Sequence, residues 1–242
     1  MRFRYREAWW PALVISSRSS APLVIAHRGG RGPDRENSIA AFVRAASLGA
    51  DMVECDVRAT RDGALVLVHD STVAGRRVDT TSFRELAAGL GFQPALLGEA
   101  AAALPAQVGL DVEVKQPGCE RAVLEALSGM ARERLLVTSF ERVTLDELRQ
   151  LSSQVRLGLI VPARGQLDGA VQSAEHCGAT HLVLHHRRVT PRSLAAATRA
   201  GLSVLVWTVN SKRGLRRLLQ ERLVRGVVTD QVELAVAVRE RM

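Results

Sequence analysis

Short apolar runs rich in Val and Leu recur along the whole chain. They fall at residues 22–27 (PLVIAH), 51–57 (DMVECDV), 64–69 (ALVLVH), 109–114 (GLDVEV), 135–140 (LLVTSF), 156–161 (RLGLIV), 181–186 (HLVLHH), 203–209 (SVLVWTV) and 226–230 (GVVTD). Between most of them lie segments of helical period, at 38–48, 120–131, 144–151, 167–177, 191–200 and 212–221. Strand alternating with helix predicts a parallel sheet with helices outside it. No Pro-, Gly- or Ser-rich linker divides the sequence, so a single domain over 1–242 is expected, its patterned part running from 22 to 242.

Nine strands are one more than an eight-stranded barrel needs. The surplus strand can be identified, because only RATRDG separates 51–57 from 64–69. A parallel pair needs a crossover of about a dozen residues or more, whereas Asp62–Gly63 is a hairpin signal. The predicted fold is therefore α/β: a (β/α)₈ TIM barrel with an antiparallel hairpin strand after the second barrel strand. The competing fold is an open doubly wound sheet, but no glycine-rich phosphate loop follows the first strand. If the hairpin turns about Arg61 and Asp62, His69 returns opposite Glu54.

Composition bounds this picture without redirecting it. With 47% hydrophobic residues the chain can fill a sizeable core, and at 4% aromatic that core must be mostly Val, Leu, Ala and Ile. The net charge of +8 suggests an attraction to anions. Nearly all the cations are arginine, with Lys115 and Lys212 the only lysines. They are scattered, clustering briefly at Arg76–Arg77, Arg187–Arg188 and Arg216–Arg217. The excess reads as a solvated surface, and no nucleic-acid partner is expected. Cys55, Cys119 and Cys177 are odd in number and form no CxxC pair, so neither a disulfide framework nor a zinc site is indicated. The apolar stretch within residues 1–20 is broken by Pro11 and is too short to span a bilayer. It also lacks a small-residue cleavage site. The default expectation is a cytoplasmic enzyme, with peripheral membrane contact through Trp9 and Trp10 as a secondary option.

In such barrels, chemistry gathers at the C-terminal ends of the strands. His27 and Arg28 end the first strand, Glu54 and Asp56 the second, and Glu113 the strand after the hairpin. Glu54 and Asp56 are two apart on a strand and share a face, while Cys55 points to the helical layer. Adjacent carboxylates repel unless a cation joins them. That cation could be an arginine, Arg28 or Arg58. A third carboxylate, Glu113, converging on the same mouth favours a hard divalent ion, Mg²⁺ or Ca²⁺. His27 and His69, flanking that site, suit general acid and base work near neutral pH. Arg28 offers a planar fork for phosphate oxygens and Lys115, on the face of Glu113, a compact positive charge.

In order, these residues resemble the glycerophosphodiester phosphodiesterase family. The matching text is AHRGG (26–30), ENS (36–38), GADMVECDVRATRDGALVLVHD (49–70), LDVEVK (110–115), TSF (138–140), VLVWTVN (204–210) and GVVTD (226–230). The resemblance implies a (β/α)₈ barrel that hydrolyses glycerophosphodiesters to glycerol 3-phosphate and an alcohol with one divalent cation. Glu54, Asp56 and Glu113 would hold the metal, His27 and His69 would form the acid–base pair, and Arg28 and Lys115 would bind the phosphate. Glu36 and Asn37 would lie near the metal, and Trp207 at the pocket mouth. The expected partner is a small-molecule glycerophosphodiester or a lysophospholipid, with a homodimer as an option. Three departures stand out. The family's P-E-N-T reads Arg35-Glu36-Asn37-Ser38, the text after His69–Asp70 is shortened, and the later I-P-T-L-x-E segment is reduced to QPALLGEA (93–100). The reduced insertion leaves room for a lysophospholipase D or phospholipid lyase acting on a larger lipid, and a non-catalytic phosphate- or nucleic-acid-binding barrel is a further alternative.

Overall fold

The computed structural model describes residues 21–242, so Trp9 and Trp10 lie outside the described residues. The strands are β1 (Leu23–Ala26), β2 (Met52–Ala59), β3 (Leu65–Leu67), β4 (Thr72–Val73), β5 (Arg76–Arg77), β6 (Gly109–Val114), β7 (Leu135–Ser139), β8 (Leu157–Val161), β9 (His181–His185), β10 (Ser203–Trp207) and β11 (Val224–Thr229). β1, β2 and β6 to β11 pair in parallel in chain order, and pairing of β1 with both β11 and β2 closes the barrel. This is the (β/α)₈ barrel that the sequence pattern predicts.

The helices are α1 (Ile39–Ser47), α2 (Phe83–Leu90), α3 (Leu97–Ala103), α4 (Glu120–Ala126), α5 (Arg142–Leu151), α6 (Leu167–His176), α7 (Pro191–Arg199), α8 (Lys212–Leu219) and α9 (Val232–Arg239). Outward strand residues such as Val53, Cys55, Val57, Leu110 and Val112 pack with buried helix residues such as Phe42, Leu145 and Leu215 in the main apolar layer. Cys55 thus lies in the helical layer, as its alternation with Glu54 and Asp56 requires. A smaller cluster of Ile25, Met52, Leu136, Ile160, Val183, Leu205 and Val228 fills the barrel interior below the mouth.

Three expectations need correction. The helical period at 120–131 yields a helix only to Ala126, and the chain then turns through Gly129 into β7. β2 runs on to Ala59, so Glu54 and Asp56 sit inside the strand; they still face the mouth because β1 pairs with β2 only at Met52 and Val53. The antiparallel strand β3 takes the rest of that edge, pairing Val57 with Leu67 and Ala59 with Leu65. This register is one residue from the expected one, because the turn centres on Asp62, where Thr60 and Ala64 close the loop. His69 lies beyond the ladder, in the loop that leaves β3.

The reduced insertion is nonetheless built. Residues after His69 form the β4–β5 hairpin and α2, and Val66, Val78 and Leu86 make a separate buried cluster beneath them. α2 starts on a capping box in which Ser82 and Glu85 serve each other's backbone N–H groups.

Candidate active site

The mouth begins where β1 ends. The HRGG text turns the chain sharply: Arg28 sits at φ 52°, Gly29 at 87° and Gly30 at 74°. Glycine is needed twice for space as well as for φ. A Cβ on Gly29 would lie 2.6 Å from the Ala41 Cβ, and one on Gly30 would lie 2.6 Å from Val232 Cγ2. The turn aims the Arg28 backbone N–H at Glu54 Oε2 (2.9 Å) and its guanidinium Nε at Asp56 Oδ2 (2.8 Å).

Asn37, buried and at φ 54°, makes the second tie between this loop and β2. Its amide nitrogen donates to Asp56 Oδ2 (2.9 Å), its amide oxygen accepts from the Asp56 N–H (3.1 Å), and its own N–H donates to the Arg28 carbonyl (3.0 Å). Glu36 is largely exposed and reaches Arg28 Nη1 at 3.3 Å. Of the two sequence candidates in this loop, Asn37 is built into the site and Glu36 stands at its edge.

Glu54, Asp56 and Glu113 can each bring one carboxylate oxygen within 4.8 Å of the others. β2 and β6 pair with Asp56 beside Glu113 and Glu54 beside Asp111, which stacks four carboxylates on one wall. Burial, then repulsion from Asp56, Glu113 and Asp111, pushes the Glu54 carboxyl well above its ordinary range. Burial likewise raises Glu113, against the pull of Lys115, and raises Asp111 to about 7 despite a 2.9 Å hydrogen bond from Thr138 Oγ1. Asp56 goes the other way: burial would raise it, but Arg28, Lys115, the Asn37 amide and His69 together hold it below the usual carboxylate range. Lys115 Nζ sits 2.6 Å from Glu113 Oε1 and 3.3 Å from Asp56 Oδ1.

A divalent cation fits this donor set. Glu54 Oε1 is buried with no hydrogen-bond donor, and Asp56 Oδ1, also buried, meets only the Lys115 ammonium at 3.3 Å without hydrogen-bond geometry, an expensive state for a carboxylate oxygen. Oxygen-only ligands on a crowded acidic wall are what a hard cation prefers. The expected arginine partner exists too, since Arg28 pairs with Asp56, and Lys115 pairs with Glu113, but Glu54 has no ion pair among the described residues.

The two histidines stand on either side, each anchored through Nδ1. His27 Nδ1 lies 2.6 Å from Asp230 Oδ1, and His69 Nδ1 lies 2.7 Å from Asp70 Oδ1. A carboxylate can only accept, so Nδ1 carries the proton and Nε2 is left for another partner. Asp230 is raised by burial but lowered more by the His27 hydrogen bond and charge and by the Asn210 amide. It therefore stays ionised. Sequence reasoning missed Asp230, Asp70 and Asp111. Asp230 was within reach, because the β1–β11 register pairs Ala26 with Thr229 and so sets His27 beside Asp230.

Across the mouth, Trp207 donates its indole N–H to the Val183 carbonyl (3.1 Å) and meets Phe140 and His185 edge-on, at 5.4 and 5.2 Å between ring centres. It also packs on the interior apolar cluster, so it is at once rim and filler. A cavity of about 200 Å³ opens beside His69, between Glu36–Asn37 and Phe92.

Fold and site together define a barrel enzyme with an acidic, cation-compatible wall at its strand ends and two anchored histidines beside it. The chain belongs to the glycerophosphoryl diester phosphodiesterase family, whose model matches residues 27–89 and 102–234. The break in that match falls on the reduced segment before β6. A glycerophosphodiester phosphodiesterase of Caldanaerobacter subterraneus is 30% identical over 239 residues, covering 88% of this chain and 96% of its own. The solved structure of a Thermotoga maritima glycerophosphodiester phosphodiesterase superimposes with a TM-score of 0.79 at 26% identity, over 90% of this chain and 98% of the other. An Oleispira antarctica phosphodiesterase, solved with sn-glycerol-3-phosphate, has the same fold, with a TM-score of 0.80, 24% identity and coverage of 91% and 97%. No helix among the described residues is long and apolar enough to cross a membrane.

Proposed function

We propose that this protein hydrolyses glycerophosphodiesters to glycerol 3-phosphate and an alcohol, in a reaction that depends on a divalent cation held by Glu54, Asp56 and Glu113. The observation that carries the reading is the pair of buried oxygens without a hydrogen bond, Glu54 Oε1 and Asp56 Oδ1, between two carboxylate-anchored histidines. The cation, when bound, supplies positive charge to the phosphate oxygens. Arg28 and Lys115 add charge-assisted hydrogen bonds to the same oxygens. One histidine takes the proton of the attacking hydroxyl through Nε2, and the other gives a proton to the leaving alkoxide as the phosphorus–oxygen bond breaks. Asp230 and Asp70 each hold an Nδ1 proton, so the ring acting as base starts with Nε2 bare and the ring acting as acid starts as the imidazolium, with its second proton on Nε2. The nucleophile is water or a neighbouring hydroxyl of the substrate. A transient cyclic phosphate would mark the second route.

The bound glycerol phosphate of the Oleispira antarctica relative supports the glycerol half of the reading. The cavity beside His69 has room for a small alcohol rather than a long acyl chain, which favours glycerophosphodiesters over lysophospholipids. The test is turnover of glycerophosphocholine against lysophosphatidylcholine with Mg²⁺, Ca²⁺, Mn²⁺ or chelator. Glycerophosphocholine should be the better substrate and chelator should stop the reaction. Faster turnover of lysophosphatidylcholine would overturn the substrate assignment, and full activity in chelator the metal assignment.

A further inference from the structure

The charge that looks scattered in the sequence is collected by the fold. Of the chain's 33 Lys and Arg, 12 fall within residues 181–242, against 4 of its 25 Asp and Glu. This last quarter therefore carries the whole excess of eight positive charges, and residues 1–180 are neutral. It forms β9, β10 and β11, which are adjacent in the barrel, and their outer helices α7, α8 and α9. One flank of the barrel is thus cationic, whereas residues 21–180, with 17 Lys and Arg against 20 Asp and Glu, carry a small negative excess.

The centre of that flank is α8. Lys212, Arg213, Arg216 and Arg217 are exposed on it, while Leu215, Leu218 and Leu219 are buried beneath. Among the described residues none of these four cations has an ion pair, in contrast to Arg192, which pairs with Asp168, and Arg239, which pairs with Asp51. Two grooves run along α8. One, of about 310 Å³ against α7, has Leu194, Ala195, Leu218 and Leu223 in its lining and Arg217 beside them. The other, of about 380 Å³ against α9, has Leu234, Ala237 and Val238 in its lining, with Lys212, Arg216 and Arg241 beside them. Two of the exposed large hydrophobic side chains, Leu223 and Met242, belong to the same grooves.

We propose that the α7–α8–α9 flank is a docking surface for anionic phospholipid bilayers. Cations that have no ion-pair partner among the described residues, beside grooves with apolar linings, match a bilayer surface, where phosphate groups overlie hydrocarbon. Nucleic acid fits less well. Trp207, the only Phe, Tyr or Trp in this quarter of the sequence, is held in the barrel mouth, so among the described residues α7, α8 and α9 offer no such ring for a base to stack on. The surface is separate from the catalytic mouth, and the proposal does not depend on the substrate assigned there.

Each cation brought to an anionic surface strengthens binding about fivefold at ordinary salt. The test is sedimentation of the full chain with phosphatidylcholine vesicles, with and without phosphatidylglycerol, beside labelled duplex DNA. The protein should bind only the phosphatidylglycerol vesicles, more weakly as salt rises, and better than it binds DNA. Replacing Lys212, Arg213, Arg216 and Arg217 together with Gln should weaken vesicle binding about 600-fold, with unchanged melting temperature and hydrolysis of soluble substrate. The control variant Arg84→Gln/Arg121→Gln/Arg132→Gln, in the neutral part of the chain, should bind vesicles normally. Equal binding to neutral vesicles, undiminished binding by the α8 variant, an equal loss in the control variant, or tighter binding to DNA would each overturn the proposal.

Discussion

Replacing Glu54 with Gln should separate what the acidic wall does for binding from what it costs the fold. Two ionised carboxylates at the widest ligand spacing, 4.8 Å, repel by about 3 kcal/mol at an effective dielectric of about 20. Arg28 and Lys115 offset part of this at Asp56 and Glu113, but Glu54 has only the Arg28 N–H, on Oε2. Gln keeps an oxygen for that N–H and removes the charge. In chelator at pH 7, Glu54→Gln should therefore be more stable than the natural protein by about 1–3 kcal/mol, or about 2–4 °C per kcal/mol in a chain of this length. The sign with pH follows from the raised Glu54 pKa. Folding favours its protonated form, a contribution fully present below the unfolded value of about 4.3 and lost as pH rises through the folded value. The advantage of Glu54→Gln should therefore shrink as pH falls. With cation at a hundredfold excess over its Kd, the natural protein should gain about 2.7 kcal/mol and the variant much less. Urea unfolding with and without cation, at several pH values, measures all three quantities. A variant less stable than the natural protein in chelator, or a natural protein that no divalent cation stabilises, would refute the reasoning.

Asp230→Asn leaves His27 free to adopt either tautomer, so kcat should drop by about 10²- to 10⁴-fold with little change in melting temperature; steady-state kinetics beside thermal melts would check both. Asp111→Asn keeps an acceptor for Thr138 and should be nearly neutral in chelator only below the unfolded Asp value of about 3.9. Because the Asp111 pKa is raised to about 7, the natural protein loses this stabilisation as pH climbs from about 4 to that value, so the variant's advantage should grow over this window and level off above it, as read by urea midpoints. Gly29→Ala forces a left-handed φ on a side chain whose Cβ would lie 2.6 Å from the Ala41 Cβ. It should cost about 2–4 kcal/mol, measurable by urea unfolding.

The barrel strands and β3 were legible because each is a short apolar run, several with a charge at a telling position. The same rule that singled out Glu113 could have singled out Asp230, also a carboxylate at the end of an apolar strand. What stayed hidden has physical reasons. α3 (LGEAAAA) and α9 (VELAVAVR) are apolar almost all round and carry little helical period. α2 is shorter than three turns, and its best signal is the Ser82–Glu85 capping box rather than its hydrophobic face. The place of His69 depended on a hairpin register, where one residue moves every pairing, and the three-residue turn at Arg61–Gly63 gave the other register. Asp70 stands beside His69 in the sequence and only the side-chain geometry shows that the two meet, whereas Asp111 acts through Thr138, 27 residues away. The cationic flank was invisible for the same reason: its arginines are spread over 62 residues of sequence, and only the barrel's winding sets the three helices side by side.

The site assignment rests most directly on phosphorus NMR of glycerophosphocholine incubated with the natural protein, His27→Ala and His69→Ala, each with cation and with chelator. Expected is a glycerol 3-phosphate signal from the natural protein with cation alone, and none from either variant although both keep the natural circular dichroism spectrum. Near-natural turnover by a folded His27→Ala or His69→Ala protein, or turnover by the natural protein in chelator, would contradict it.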